Sequence, residues 1–178
     1  MKYLVVLIFI IVYLFFPGDG LGYTCTSPFY THFSYMFQHQ GVMHLAINSM
    51  SFIGISRLAG RMVNKWLLAM LSFGGGFVLS FFTAGQLPTV GASGVIYIMT
   101  GLYAGMTAFD ERVRITDAKR HAASLVMITV ALAVSSLVKT SNYSLHSLWF
   151  LSGVFMSVFY QLIKTIYSYG REIFNRRI

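Results

Sequence analysis

The sequence Gly91-Ala92-Ser93-Gly94 puts a serine behind the turn-like stretch Gly85-Gln86-Leu87-Pro88 and at the head of an apolar run. A hydroxyl at a helix start lies beside backbone N–H groups that have no intrahelical acceptor. A nucleophile and donors for an oxyanion therefore arise in one place. Gly91 and Gly94 add room for a substrate backbone and for a neighbouring helix to come close. The same small residues, continued by Gly101 and Gly105, also suit tight packing of membrane helices. Taken alone, the motif leaves catalysis and packing both open.

Two further groups carry chemistry. His44 and Asn48 are four residues apart and so share one helix face, where two neutral donors can stabilise a developing oxyanion. They can equally serve as an interfacial histidine and an interhelical amide. His146 is an ionisable side chain inside an apolar run, the default mark of a functional position in a membrane. As a general base it would take the Ser93 proton and return it to a leaving amine. His32, His39, His44 and His146 also invite a metal or haem reading, but no carboxylate or thiolate pairs with them at ligand spacing. No metal and no cofactor is expected. Cys25 is the only cysteine, which rules out an internal disulfide.

The elements that must position these groups follow from composition. The chain has 178 residues, 56% hydrophobic and only 10% charged, which is the balance of a membrane protein. Its charge of +8 comes from basic residues standing singly or in pairs between apolar runs, with no continuous stripe for nucleic acid. Apolar runs bounded by Gly, Pro or charge predict helices at about 3–16, 42–58, 66–83, 92–109, 121–138 and 143–167. The expected fold is an all-α membrane protein of six transmembrane helices, one domain over residues 1–178, with no room for a second soluble domain. Residues 2–16 resemble a secretory signal, but the stretch Phe16-Pro17-Gly18-Asp19 that ends the run holds no small-x-small cleavage site, so they are expected to remain as the first span.

With the amino terminus in the cytoplasm, twelve of the thirteen basic residues fall on the cytoplasmic side and Lys139 alone falls outside. Both termini are then cytoplasmic. This topology sets depth: His44, Asn48, Ser93 and His146 all lie in the first turns of spans that begin on the outer side. His121, after Lys119-Arg120, starts its span on the cytoplasmic side and cannot join them. Nor can Asp110, Glu111, Asp117 and Glu172, while Asp19 sits in the outer loop. A hydrolase built here would work with a serine–histidine dyad.

The combination His39-x-x-x-Met43-His44-x-x-x-Asn48, then Gly91-x-Ser93-Gly94-Val95-Ile96-Tyr97, then a histidine in the last span, resembles the rhomboid family of intramembrane serine proteases. The resemblance covers spans two to six, and the size is similar to that of compact bacterial members, which implies a bacterial inner membrane. It implies a rhomboid-like bundle with Ser93 as nucleophile and His146 as base. It also implies an oxyanion hole of His44, Asn48 and the Ser93 N–H, and a Tyr97 that packs on the catalytic histidine. His39, Gly91 and Gly94 would support the site, and loop 17–41 would be embedded in the membrane. Two departures stand out. The first loop reads Tyr30-Thr31-His32 where many members carry Trp-Arg, and Trp149 replaces the first glycine of the family's His-x-x-Gly-x-x-x-Gly, although Gly153 is kept.

The resemblance thus implies endopeptidase action on transmembrane protein substrates in the lipid bilayer, near the non-cytoplasmic face. A weak or inactive rhomboid-like protein that binds membrane clients is the alternative, with Trp149 in its favour. A small transporter or haem-binding protein is a third. The sequence leaves the substrate and the oligomeric state undetermined.

Overall fold

The computed structural model describes residues 1–109, 122, 126 and 143–175, and the architecture below is that of these residues. They form helices and connecting segments: α1 (Lys2–Phe15), α2 (Thr31–Ser34), a 3₁₀ turn (Tyr35–Phe37), α3 (Val42–Ala59), α4 (Lys65–Ser80), α5 (Ser93–Phe109) and α6 (Tyr143–Asn175). The only β-type pairing among them is an isolated antiparallel bridge between Tyr23 and Thr89. The expected helix at 121–138, His121 and the charged connection from Asp110 to Arg120 lie outside the described residues.

Four of the expected helices appear within a few residues of their predicted limits, and the differences have local causes. α4 stops at Ser80 because its end tightens into i to i+3 bonds, Phe81 N–H to Val78 C=O at 3.3 Å and Phe82 N–H to Leu79 C=O at 3.0 Å. At the other end of α4 the Asn64 side chain accepts from Trp66 N–H at 2.9 Å and caps the helix. α6 runs to Asn175, past the predicted end at 167, because that end was set by bilayer thickness and no proline interrupts the helix. One segment, Ser144–Tyr169, is long and apolar enough to cross a membrane by itself; Lys2–Phe15, Lys65–Ser80 and Ser93–Phe109 are apolar but shorter.

The helices are inverted relative to those of a water-soluble protein. On α3 the buried face is Asn48, Phe52, Ile55 and Ala59, a helical stripe. Met43, Ile47 and Met50 point outward, as do Leu7 and Leu14 on α1 and Phe155 and Ile166 on α6. Meanwhile Ser72, Ser80, Thr100 and Ser157 are buried. Such an exterior suits hydrocarbon rather than water.

α5 is the central element, with most of its side chains buried all round. It runs parallel to α6, and small residues bring the two backbones together. A Cβ on Gly101 would collide with the Phe150 carbonyl, one on Gly153 with the Ile98 carbonyl, and one on Gly105 with the Ser157 hydroxyl. The segment between α1 and α3 packs inward instead of trailing in solvent, with Tyr23, Tyr35 and Met36 buried. It is fastened to the segment before α5 by the reciprocal Tyr23–Thr89 bonds at 3.2 and 3.0 Å and by Cys25 N–H to Gly85 C=O at 2.9 Å.

Candidate functional site

Ser93 is the first residue of α5 and is partly buried. The bond from Ile96 N–H to Ala92 C=O, 3.0 Å, opens the helix and leaves the N–H groups of Ser93, Gly94 and Val95 without intrahelical acceptors. The approach to that helix is fixed by Gly91, whose φ of +117° is a left-handed value that favours glycine. Its N–H donates to the Tyr35 carbonyl at 2.9 Å. Tyr35 in turn donates its phenol to Gly76 C=O on α4 at 3.1 Å. The serine turn is thus anchored through the loop to a third helix.

α3 presents His44 and Asn48 to this turn. A Cβ on Gly91 would lie 2.7 Å from His44 Nε2 and 3.5 Å from Asn48 Nδ2, so both side chains occupy the space that the glycine leaves open. Asn48 is buried, and its Nδ2 has no hydrogen-bond partner among the described residues. Leaving a buried donor unmade costs about 1–3 kcal/mol. An amide held in that state beside a helix start is a donor in reserve.

His39 packs against His44, with ring centroids 5.1 Å apart, and Phe9 of α1 also lies 5.1 Å from its ring. His39 is buried, and its Nδ1 donates to Phe37 C=O at 3.2 Å, which fixes the neutral tautomer with its hydrogen on Nδ1. Its pKa is lowered to about 4, by burial first and by the nearby His44 in the same direction, with the Phe37 carbonyl opposing both.

His146 lies in the first turn of α6. Its ring stacks on Tyr97, one turn beyond Ser93, with centroids 4.4 Å apart and 29° between planes. The register explains this placement: Gly94 meets Trp149 and Ile98 meets Gly153, both pairs separated by 55 positions. That offset brings His146 level with the Gly91–Ser93 turn. His44 and His146 are within electrostatic reach of each other. Among the described residues no hydrogen bond joins Ser93 directly to His146; in unliganded sites such bonds are often long and tighten only with substrate.

The sequence departures Trp149 and His32 are both buried, Trp149 with its Nε1 left without a hydrogen-bond partner among the described residues. Trp149 is buried, with 1% of its surface exposed, and its indole covers Gly94. His32 donates to or accepts from Ser80 of α4 through Nδ1 at 2.9 Å and stacks on Phe81 at 4.0 Å and 11°. It ties the loop to α4, and burial lowers its pKa, which favours the uncharged ring. Sequence reading missed this anchor and the Tyr35–Gly91 bond. Only the aromatic density of residues 23–37 hinted at them, because loop partners distant in sequence leave no periodic signal. The site is therefore one place: Ser93, Gly91, Gly94, Tyr97, His44, Asn48, His39 and His146 all converge on the head of α5. Among the described residues no group of three or more His, Cys, Asp or Glu side chains forms a metal-binding cluster.

An integral membrane protein with a serine at a helix start, and with histidines from two other helices packed on Gly91 before it and on Tyr97 after it, is what this fold and site define. The family model of the rhomboid domain matches residues 26–165, and the chain belongs to the rhomboid family. Its members are usually serine intramembrane proteases, acting on membrane-spanning substrates within the bilayer. No curated protein matches the chain.

Proposed function

We propose that the chain is an intramembrane serine endopeptidase with a Ser93–His146 dyad. The observation that carries this reading is the convergence at the head of α5. His146 is stacked on Tyr97 one turn from Ser93, while His44 and the unpartnered Asn48 amide close on Gly91 two residues before it.

In this reading His146 accepts the Ser93 proton as Oγ attacks the scissile carbonyl of a substrate span. The tetrahedral oxyanion is held by the Asn48 amide, His44 and the Ser93 N–H. The imidazolium gives its proton to the leaving amine, and the acyl-enzyme is then hydrolysed by a water that His146 deprotonates in the same way. A helical substrate must unwind locally to expose its peptide bond, so small or helix-breaking residues near the cut favour cleavage. The six-span topology, cytoplasmic termini and cleavage near the non-cytoplasmic face belong to the same proposal, supported by the distribution of basic residues.

Labelling of the folded protein with a serine-reactive fluorophosphonate, alongside cleavage of a transmembrane reporter, tests it. Wild type is labelled and cuts; Ser93→Ala does neither. Equal turnover by Ser93→Ala overturns the assignment. A second reading, a non-catalytic member that binds membrane clients, is favoured by one observation, the bulky Trp149 where the family usually has glycine. An unlabelled wild type of intact fold supports it.

A further inference from the structure

The α5–α6 seam is built in two different ways along its length. At Gly101 and Gly153 it closes by backbone contact and at Gly105 against the Ser157 side chain, with no space for a single Cβ. Nearer the site, about one turn before Gly153 on α6 and about two turns before Gly101 on α5, an indole stands between the helices. A Cβ on Gly94 would lie 3.0 Å from Trp149 Cδ2 and Cε2 and 3.2 Å from Cε3. Cδ2 and Cε2 are the ring-fusion atoms, which an edge-on neighbour cannot reach first. Gly94 therefore lies over the face of the indole, and the ring's thickness separates the two helices at this level.

The same indole has a second neighbour. His146, one turn before it on α6, has its ring 6.0 Å from Trp149 and 38° off its plane, with Tyr97 on the imidazole at 4.4 Å. The imidazole's position is thus bounded by one ring from α5 and one from α6. The helix bearing it is pinned at Gly153 and propped at Trp149. A change in the thickness of the prop tilts the start of α6 about the pinned glycine and moves His146 relative to Ser93. A misplacement of about 1 Å at a reacting group can cost about 10²-fold in rate.

We propose that Trp149 is a positioning residue for His146, matched to the absence of a side chain at Gly94, and that the pair sets the serine–histidine separation in this chain. Trp149 takes the place of a close helix contact and substitutes a defined aromatic spacer for it. The proposal rests on the dyad reading, and it assigns the unusual tryptophan to catalysis rather than to loss of activity.

The test is a set of substitutions read by fluorophosphonate labelling rate, by kcat and KM on a transmembrane reporter, and by thermal unfolding. Trp149→Ala and Trp149→Gly lower kcat and labelling rate at least about tenfold with KM little changed, and Trp149→Phe, which keeps an aromatic spacer, recovers a large part of the loss. Gly94→Ala is deleterious beside Trp149, and combining it with Trp149→Ala restores part of the activity because the clash is removed. A chain in which the truncations fail to fold still reports through Trp149→Phe and the Gly94→Ala/Trp149→Phe pair. Wild type that is labelled while Trp149→Ala and Trp149→Gly retain kcat, or a Gly94→Ala loss that no Trp149 substitution relieves, overturns the positioning role and leaves the dyad standing. Absence of labelling in folded wild type overturns the dyad reading itself, and the positioning role with it.

Discussion

The imidazole of His146 lies against the phenol ring of Tyr97, centroids 4.4 Å apart and 29° from parallel, although the two residues are 49 positions apart in the chain. The stack couples the first turn of α6 to the second turn of α5. It orients the imidazole that the proposal pairs with Ser93. Tyr97→Phe preserves the ring and should leave kcat within about threefold of wild type, whereas Tyr97→Ala removes a contact of about 0.5–1.5 kcal/mol and should lower kcat about 2- to 10-fold. Reporter cleavage at saturating substrate measures the difference.

Removal of either member of the proposed dyad should be more severe. Ser93→Ala and His146→Ala are each expected to abolish reporter cleavage and fluorophosphonate labelling, with thermal unfolding close to wild type. Ser93 is a short side chain at a helix start, and neither residue is among the largest core side chains. Retained turnover in either variant would contradict the mechanism.

His44→Ala and Asn48→Ala each remove one proposed oxyanion donor, for an expected loss on the order of 10²–10³ in kcat. Asn48→Ala carries a diagnostic feature. Its Nδ2 has no partner among the described residues, so deleting it should cost little stability while costing much activity. A large drop in unfolding temperature with unchanged kcat would show the amide to be structural.

Gly91→Ala should be the most damaging of the glycine substitutions at the site. It places a side chain at φ +117° and sets its Cβ 2.7 Å from His44 Nε2. Loss of both labelling and thermal stability is expected, measured on the same preparation.

Stability should fall with acid through His39. Its folded pKa is about 4, against about 6.5 in an unfolded chain. Between those values the unfolded chain binds a proton that the folded chain does not, so stability is full above about pH 6.5 and is lost as pH falls toward 4. The loss approaches about 3 kcal/mol, and His32, lowered by burial as well, acts in the same direction. Thermal unfolding between pH 7.5 and 4.5 should show this slope in wild type and a shallower one in His39→Gln. Equal slopes would remove His39 as the cause.

The residues of the candidate site stand out in the sequence because each carries a local signature. Gly-x-Ser-Gly marks a helix start, the spacing of His44 and Asn48 marks one helix face, and His146 is conspicuous as an ionisable group in an apolar run. Helix positions were legible for a similar reason, since apolar runs in a membrane protein are bounded by charge, glycine and proline. Periodicity of 3.6 residues and hydropathy are properties of neighbours in the chain, so they survive without knowledge of the fold.

What the tertiary structure alone decided concerns residues far apart in sequence. Sequence could say that Trp149 stands in place of a glycine, and it could not say which way the indole turns. The register of α5 against α6 puts the ring over Gly94, where the missing side chain makes space for it. Likewise the loop's Tyr35 bonds to Gly91 and its His32 to Ser80 through backbone and ring geometry that no linear pattern encodes. Packing depends on the shapes of both partners at once, and a sequence presents those shapes one at a time.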